Sequence, residues 1–309
     1  MARFRLLAMW FALLVALMLR PALAEPPIEK AQVNAAAAET PEEPKFIRVR
    51  RDDEDRPVAM ETAVVHFTSK TRPGVSIDLI GAVHIADRSY YDELNKLFEK
   101  YDVVLYELVA PEGTRIPQGG RKEKSTHPIG IMQEGMSSIL ELSHQLACVD
   151  YTKANLVHAD MSPDEFAKSM EDRGESFIQM FLRLMGTGIA QSAAGAGGMN
   201  DADILMALFA KDRAMKLKTL MAQQFQSLEG AMSALDGPGG SAIITERNKK
   251  CFEVLDKQIA AGKKKIAVFY GAGHLPDMQK RLEADYGFHR AGESWLTAWN
   301  LKPRQKAER

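Results

Sequence analysis

The sequence predicts an α/β protein: a mixed, mostly parallel central sheet with flanking helices and a helical cap insertion. Two observations predict it. Residues 77–80 and 102–106 are short apolar runs, and the segment between them carries apolar residues at every third or fourth position, as an amphipathic helix does. A third apolar run, 265–270, leads into another helix start. Strands joined by such crossover helices lie parallel in one sheet.

The amino-terminal segment has the composition of a secretory signal. Arg3 and Arg5 precede an apolar run over 6–19, and Ala-Leu-Ala at 22–24 suits signal cleavage. We therefore expect residues 1–24 to direct export, to the periplasm or outside the cell. The run is shorter than the roughly 20 residues of a membrane span, so no stable span is expected after cleavage. An uncleaved membrane anchor is the alternative.

Composition divides the rest of the chain. Residues 25–45 are rich in Ala, Glu and Pro and predict a disordered linker, 46–301 can bury one large core, and 302–309 form a polar tail. Loss of the three arginines of 1–24 leaves 37 of the 40 basic residues against 41 acidic residues, a net charge of −4. The chain has no long basic block, so nucleic acid is not an expected partner.

The outer strands predict an antiparallel edge of the sheet. Residues 46–50 and 62–69 alternate apolar and polar side chains, and a Pro-Gly turn leads back into a strand over 75–80. The helix that follows is expected to be capped by Ser89, and a last strand is expected at 294–301. The sheet should therefore begin antiparallel and become parallel.

The middle of the chain is predicted to be mainly helical. Residues 129–147 have helical spacing, and after a short strand at 154–158 the sequence Ser-Pro-Asp-Glu at 162–165 has the composition of a capped helix start. We expect 162–235 to form a cap over the strand ends. Its glycine-rich interruption at 186–200 lacks the spacing of a nucleotide-binding loop and is expected to be a hinge.

An arginine interrupts the apolar stripe of a later helix. Residues 243–260 have helical spacing, and Arg247 falls between Ile244 and Cys251 on their apolar stripe. A guanidinium there must find a carboxylate, a carbonyl or a substrate anion, because a buried charge needs a partner. Cys251 and Cys148 both lie among apolar residues. We expect two buried thiols, with a disulfide between them as the alternative.

Four strand ends carry side chains that can bind or activate a substrate. Two apolar strands each end in Gly-x-x-His, which places His84 and His274 beyond them; Glu107 follows a third strand, and His158 or Asp160 a fourth. Neighbouring strands lie about 5 Å apart, so these side chains can converge. Two histidines and a carboxylate suit a divalent metal with an open position for water. The same set works without metal if histidine is a general base that glutamate orients.

Four motifs in a fixed order make the chain similar to a known family. GAVH at 81–84, YELV at 106–109, ERN at 246–248 and YGAGHLPDM at 270–278 resemble motifs of the TraB/PrgY, GumN and TIKI group. That group is related to the erythromycin-esterase and ChaN-like proteins. The resemblance covers roughly residues 60–300 and implies an α/β core.

The resemblance also implies the site residues. The two Gly-x-x-His histidines are His84 and His274, and they would share one site with Glu107 and Arg247. Asp160 falls roughly where TraB members carry an Asp-Arg pair, although this chain has Asp-Met-Ser there. TIKI-like members are similar to metal-dependent proteases, whereas erythromycin esterases hydrolyse without metal and ChaN-like proteins bind haem. Manganese, cobalt or zinc is therefore the expected cofactor.

These observations predict an exported, metal-dependent hydrolase of peptide or amide bonds. His84, His274 and Glu107 would hold the metal, with Glu107 also able to act as the base, and Arg247 would steady the oxyanion. The expected partner is a peptide or small-molecule substrate. Two alternatives stay open: a non-catalytic module that binds a peptide or haem, and a metal-independent, esterase-like hydrolase. The sequence does not indicate an oligomeric state.

Overall fold

A mixed, mostly parallel sheet flanked by helices forms the centre of the molecule, which confirms the predicted α/β fold class. The computed structural model describes residues 45–120, 135, 137–176, 206–207, 209–236 and 239–302, with backbone alone over 226–236. The predicted signal peptide, the predicted hinge, and all but one residue each of the predicted linker and polar tail lie outside the described residues.

We label nine strands and six α-helices in the described part of the chain. The strands are β1 (Ile47–Arg51), β2 (Pro57–Ser69), β3 (Ser76–Ala82), β4 (Ile85–Ala86), β5 (Val103–Tyr106), β6 (Ser143–His144), β7 (Leu156–His158), β8 (Lys265–Gly271) and β9 (Phe288–Asn300). The helices are α1 (Arg88–Phe98), α2 (Gln145–Cys148), α3 (Pro163–Asp172), α4 (Arg213–Asp236), α5 (Arg247–Ala260) and α6 (Leu275–Ala284). A π-helical turn (Ala242–Glu246) precedes α5, and a 3₁₀ turn (Ala272–His274) precedes α6.

The sheet changes from antiparallel to parallel, as predicted. Its order is β1-β2-β3-β8-β5-β7, with β9 paired to β2 and with β4 and β6 forming a separate small ladder. β2 pairs antiparallel with β1, β3 and β9, whereas β3, β8, β5 and β7 pair in parallel. Two strands are longer than predicted: β2 begins at Pro57 and β9 at Phe288. The first part of β9 is largely exposed and polar, so it lacks the apolar pattern by which a strand is predicted. Backbone pairing with β2 forms the strand there.

Helix α1 fixes the end of β3 from one face of the sheet. Tyr90 and Tyr91 lie on its buried stripe. Their hydroxyls donate to the carbonyl oxygens of Gly81 (2.7 Å) and Val83 (3.0 Å). These two bonds hold the backbone that leads into His84.

The predicted helix cap at Ser89 is wrong, because α1 begins at Arg88 and Asp87 is its N-cap residue. The Asp87 carboxylate does not cap the helix. It accepts a hydrogen bond from Nζ of the buried Lys218 (2.7 Å) on α4, and from the backbone N–H of Asn300 (2.5 Å). The residue therefore joins α1, α4 and β9.

The single helix predicted over 129–147 is interrupted. Residues 137–140 are helical, but Glu141 has a left-handed backbone (φ 55°), which a continuous helix does not allow. The chain then forms β6, which pairs with β4, and the short α2. Residues 121–134 and 136 of this region lie outside the described residues.

The predicted capping box is present at the start of α3. Ser162 Oγ accepts from the Glu165 backbone N–H (3.2 Å), and Glu165 Oε2 accepts from the Ser162 N–H (2.7 Å). Further along the predicted cap, α4 packs beside β1 and the 3₁₀ turn, and the ring of Phe225 meets Trp299 edge-on at 5.5 Å. Within the described part of the predicted cap, α4 thus lies beside the turn that carries His274.

Two further findings concern cysteine and membranes. Cys148 and Cys251 are both free and buried, which is the arrangement that the sequence favours. Within the described residues, no helix has both the length and the apolar character that crossing a bilayer requires.

Candidate active site

The carboxyl ends of four adjacent parallel strands carry the predicted site residues. β8 lies between β3 and β5, and β7 lies beyond β5. His84, His274, Glu107 and Asp160 therefore follow four neighbouring strands in that order. The structure joins His274, Glu107 and Asp160 through Arg247, whereas His84 is exposed beside them.

The guanidinium of Arg247 binds two carboxylates. Its Nε and Nη2 donate to Oδ1 (3.0 Å) and Oδ2 (2.6 Å) of Asp160, a two-pronged ion pair. Nη2 also donates to Oε1 of Glu107 (2.6 Å). Nη1 lies 3.4 Å from Nε2 of His274. Arg247 and Asp160 are only 8% and 3% exposed, so this pair is largely shielded from water.

The π-helical turn sets the position of Arg247. Arg247 is the first residue of α5, directly after the turn, and Ser241 Oγ caps the turn by accepting from the Ile244 N–H (3.1 Å). The sequence predicts one regular helix here. The extra residue of a π turn rotates the residues that follow about the helix axis, and such turns are frequent at functional sites.

Glu107 is held against the backbone of the neighbouring strand. Its Oε2 accepts from the Gly271 N–H (2.6 Å). A Cβ at Gly271 would lie 3.1 Å from that oxygen, so glycine there permits the close approach. Burial raises the pKa of Glu107, but the positive charge of Arg247, with contributions from the neighbouring His274 and His84 and the Gly271 bond, outweighs it, and the pKa falls well below its ordinary value. Glu107 is therefore ionised.

His274 is buried and neutral. It is 5% exposed, and burial lowers its pKa from 6.5 to about 4, although Glu107 opposes the change. Its Nδ1 lies 2.7 Å from Oδ1 of Asn248, and its Nε2 lies 3.6 Å from Oε1 of Glu107. A neutral imidazole beside an ionised carboxylate can accept a proton or bind a cation.

The predicted candidate His158 lies apart from this network. Its Nε2 is 2.5 Å from the carbonyl oxygen of Leu108, to which a ring N–H donates, and its ring stacks at a tilt against Tyr106. The bond joins the end of β7 to the segment after β5. His158 thus supports the strand ends, and Asp160 is the residue of this pair that binds Arg247.

Comparison with known proteins finds no family model, no curated protein and no solved structure that matches this chain. The resemblance to the TraB/PrgY, GumN and TIKI group therefore stays a prediction that depends on the four motifs.

The buried network carries excess negative charge. Two carboxylates, Glu107 and Asp160, face one guanidinium, and His274 adds no charge in its neutral form. A buried site of this kind favours a further cation, because uncompensated charge away from water is costly. A metal ion, a cationic substrate group or protonated His84 would supply it.

The donors fit a divalent metal in their chemistry. Histidine binds a metal as the neutral imidazole, and glutamate binds it as the ionised carboxylate. His274 and Glu107 are in these two states. Their facing atoms are 3.6 Å apart. As placed, however, the described residues contain no group of three or more His, Cys, Asp or Glu spaced to hold an ion, and Oε1 of Glu107 already accepts from Arg247.

Sequence reasoning missed two polar residues that support the site. Asn248 is fully buried and bonds both the ring and the backbone of His274, and Asp277 binds Asn248 in turn. Both lie inside recognised motifs, ERN and YGAGHLPDM. Asn248 directly follows Arg247 in the sequence. A buried amide must satisfy both its donor and its acceptor, so the position of Asn248 beside Arg247 indicated a polar partner for the site.

Proposed function

We propose that this protein is an exported, metal-dependent hydrolase of peptide or amide bonds, similar in kind to the TraB/PrgY, GumN and TIKI group. The observation that carries the proposal is the pair formed by the neutral His274 and the ionised Glu107, 3.6 Å apart in a negatively charged site at the strand ends. Export rests on the signal-like composition of residues 1–24.

The lowered pKa values of His274 and Glu107 favour a hydrolase that depends on a metal. A general base works best when its pKa lies near the working pH, and the pKa values of His274 and Glu107 are both lowered. Neither group alone is therefore a strong base towards water. A divalent ion held by His84, His274 and Glu107 would lower the pKa of a bound water and polarise the scissile carbonyl.

The protein's own residues would then orient the reactants. Glu107, fixed by Gly271 and Arg247, keeps Oε1 towards His274 and, although a weak base, could accept the proton of a water whose pKa the ion had lowered. Arg247 has one N–H group of Nη1 beyond its bonds to Asp160, Glu107 and His274, and that group can donate to the oxyanion that forms on the carbonyl. Asp160 holds the guanidinium in place.

The test is turnover by the purified chain on fluorogenic peptide, amide and ester libraries. Samples are stripped with a chelator and then titrated with manganese, cobalt or zinc. We expect peptide or amide cleavage that chelation abolishes and one of the three metals restores. Retention of turnover after complete metal removal would contradict metal dependence.

Metal-independent hydrolysis is a second candidate, and one observation favours it. Arg247 already occupies Oε1 of Glu107, and Asn248 orients the His274 ring as a base needs. In that case ester or amide turnover persists in the chelator. A third outcome, saturable binding of a peptide or haem with no turnover under any metal condition, would replace both hydrolase forms with a binding module.

A further inference from the structure

We propose that Asn248 and Asp277 are positioning residues that hold His274 in one tautomer, with the proton on Nδ1 and the lone pair of Nε2 facing the guanidinium of Arg247, beside Glu107. The proton position follows from hydrogen bonds alone. Its role in hydrolysis rests on the function proposed above, and the experiment below separates the two.

The orientation of the Asn248 amide follows from its acceptors. Its Nδ2 donates to the backbone carbonyl of His274 (3.1 Å) and to Oδ2 of Asp277 (2.7 Å). A carbonyl oxygen only accepts, and the Asp277 carboxylate also accepts from Arg281, so the nitrogen of the amide must lie on that side. Oδ1 then faces the ring at 2.7 Å from Nδ1 of His274, and an amide oxygen accepts only. Nδ1 must therefore carry a hydrogen.

The opposite side of the ring gives the same assignment independently. Nε2 of His274 lies 3.4 Å from Nη1 of Arg247, and a guanidinium nitrogen only donates. A hydrogen on Nε2 would place two donors against each other. The Glu107 oxygen at 3.6 Å is too distant to accept that hydrogen in a good hydrogen bond. Both sides of the ring thus favour a bare Nε2.

Asp277 makes the arrangement rigid. It lies in the first turn of α6, where a carboxylate is favoured by the helix dipole. Arg281, one turn further along the helix, donates to both of its oxygens through Nε (2.7 Å) and Nη2 (3.2 Å). The chain of contacts therefore runs from Arg281 through Asp277 and Asn248 to His274. Its inner end is dry, because Asn248 is fully buried.

The experiment reads the tautomer directly. The full chain is labelled with ¹⁵N-histidine and studied free of metal at neutral pH, and the His274 ring signals are assigned by their loss in His274→Gln. We expect the wild type to show a protonated Nδ1 and an unprotonated Nε2. In Asn248→Ala the ring should change from the Nδ1–H form to a mixture, since its acceptor at Nδ1 is gone and only the 3.4 Å contact with Nη1 of Arg247 still favours that form.

Asn95→Ala is the matched control. Asn95 is a partly buried asparagine that also makes two bonds, donating to the Cys148 carbonyl (2.8 Å) and accepting from the Asp150 N–H (2.9 Å), but it lies outside the site. This variant should lose stability and keep the His274 tautomer. Asp277→Ala removes one acceptor of the Asn248 amide, so that the amide can flip. It serves as a second variant if Asn248→Ala does not fold.

Two results would overturn the inference: a proton on Nε2 in the wild type, or an unchanged tautomer in both folded variants. Where the wild type turns over substrate, Asn248→Ala should lower kcat or metal affinity about 10- to 100-fold, as loss of residues that orient a ligating histidine does. KM should change little. Absence of turnover in the wild type would count against the proposed function alone, because the spectra do not depend on activity.

Discussion

At the scale of single residues, Arg247 joins two strand ends. Its guanidinium pairs with Asp160 after β7 and with Glu107 after β5, in a place where water is largely excluded. Removal of one member of such a group leaves the others charged and unpaired. The residue therefore has a structural role in addition to any part in catalysis.

Replacement of Arg247 should reveal that role. We expect Arg247→Met to lower the free energy of unfolding by about 3–5 kcal/mol, because two carboxylates remain buried without their partner. Arg247→Lys should lower it less, since an ammonium keeps the charge but lacks the fork that binds Asp160. Urea unfolding measures both. Arg88→Met, which breaks an exposed pair with Asp92, is the control and should have little effect.

Acid should destabilise the protein through His274. Its pKa is lowered from 6.5 to about 4 on folding, so between these values the unfolded chain binds a proton that the folded chain does not. Stability from this group is complete above pH 6.5 and is lost as the pH falls towards 4. The lowered pKa of Glu107 acts in the same direction below its ordinary value of 4.5.

The titration of His274 should therefore lower the free energy of unfolding by about 2 kcal/mol when the pH falls from about 7 to about 5. Urea unfolding across that range measures it. His274→Gln cannot titrate, so its pH dependence should be weaker by that amount. Identical pH profiles for the two proteins would show that His274 does not titrate as its burial indicates.

At the scale of elements, a buried ion pair joins the described part of α4 to the start of α1. Lys218 Nζ lies 2.7 Å from Oδ1 of Asp87, and the lysine side chain is 7% exposed. We expect Lys218→Met to lower the free energy of unfolding by about 1–3 kcal/mol, because Asp87 loses its charged partner. Lys216→Met is the matched control on the same helix, where the lysine is 51% exposed and its pair with Asp212 measures 3.9 Å.

Equal destabilisation by the two lysine variants would contradict the anchoring role of Lys218. Limited proteolysis provides a second measurement. A loosened α4 should be cleaved faster in Lys218→Met than in Lys216→Met, because local opening of a helix exposes its backbone.

The elements that could be predicted are those with a complete apolar pattern. α1 and β8 are buried along a regular stripe or on both faces, and the capping box of α3 has a local mechanism. The helix predictions that failed did so at local backbone features that helix propensity does not predict. Glu141 ends a helix through a left-handed backbone, and the π turn before Arg247 adds one residue to a helix that looks regular in sequence.

At the scale of the whole molecule, strand order decides which side chains meet. The sequence indicates that His84, His274, Glu107 and Asp160 follow strands, and parallel pairing brings such ends to one edge. It does not indicate that β8, far along the chain, inserts between β3 and β5. That insertion places His274 beside Glu107. It depends on packing between distant segments, so no local pattern could reveal it.

Turnover by one histidine variant decides whether His274 belongs to a hydrolytic site. The full chain, His274→Gln and His289→Gln are assayed together on the peptide and amide library, with the restoring metal present and folding checked by thermal melting. His289 is the matched control, an exposed histidine on β9. We expect cleavage by the wild type and by His289→Gln, with a loss of at least about 100-fold in folded His274→Gln. Undiminished cleavage by folded His274→Gln would show that His274 takes no part in hydrolysis.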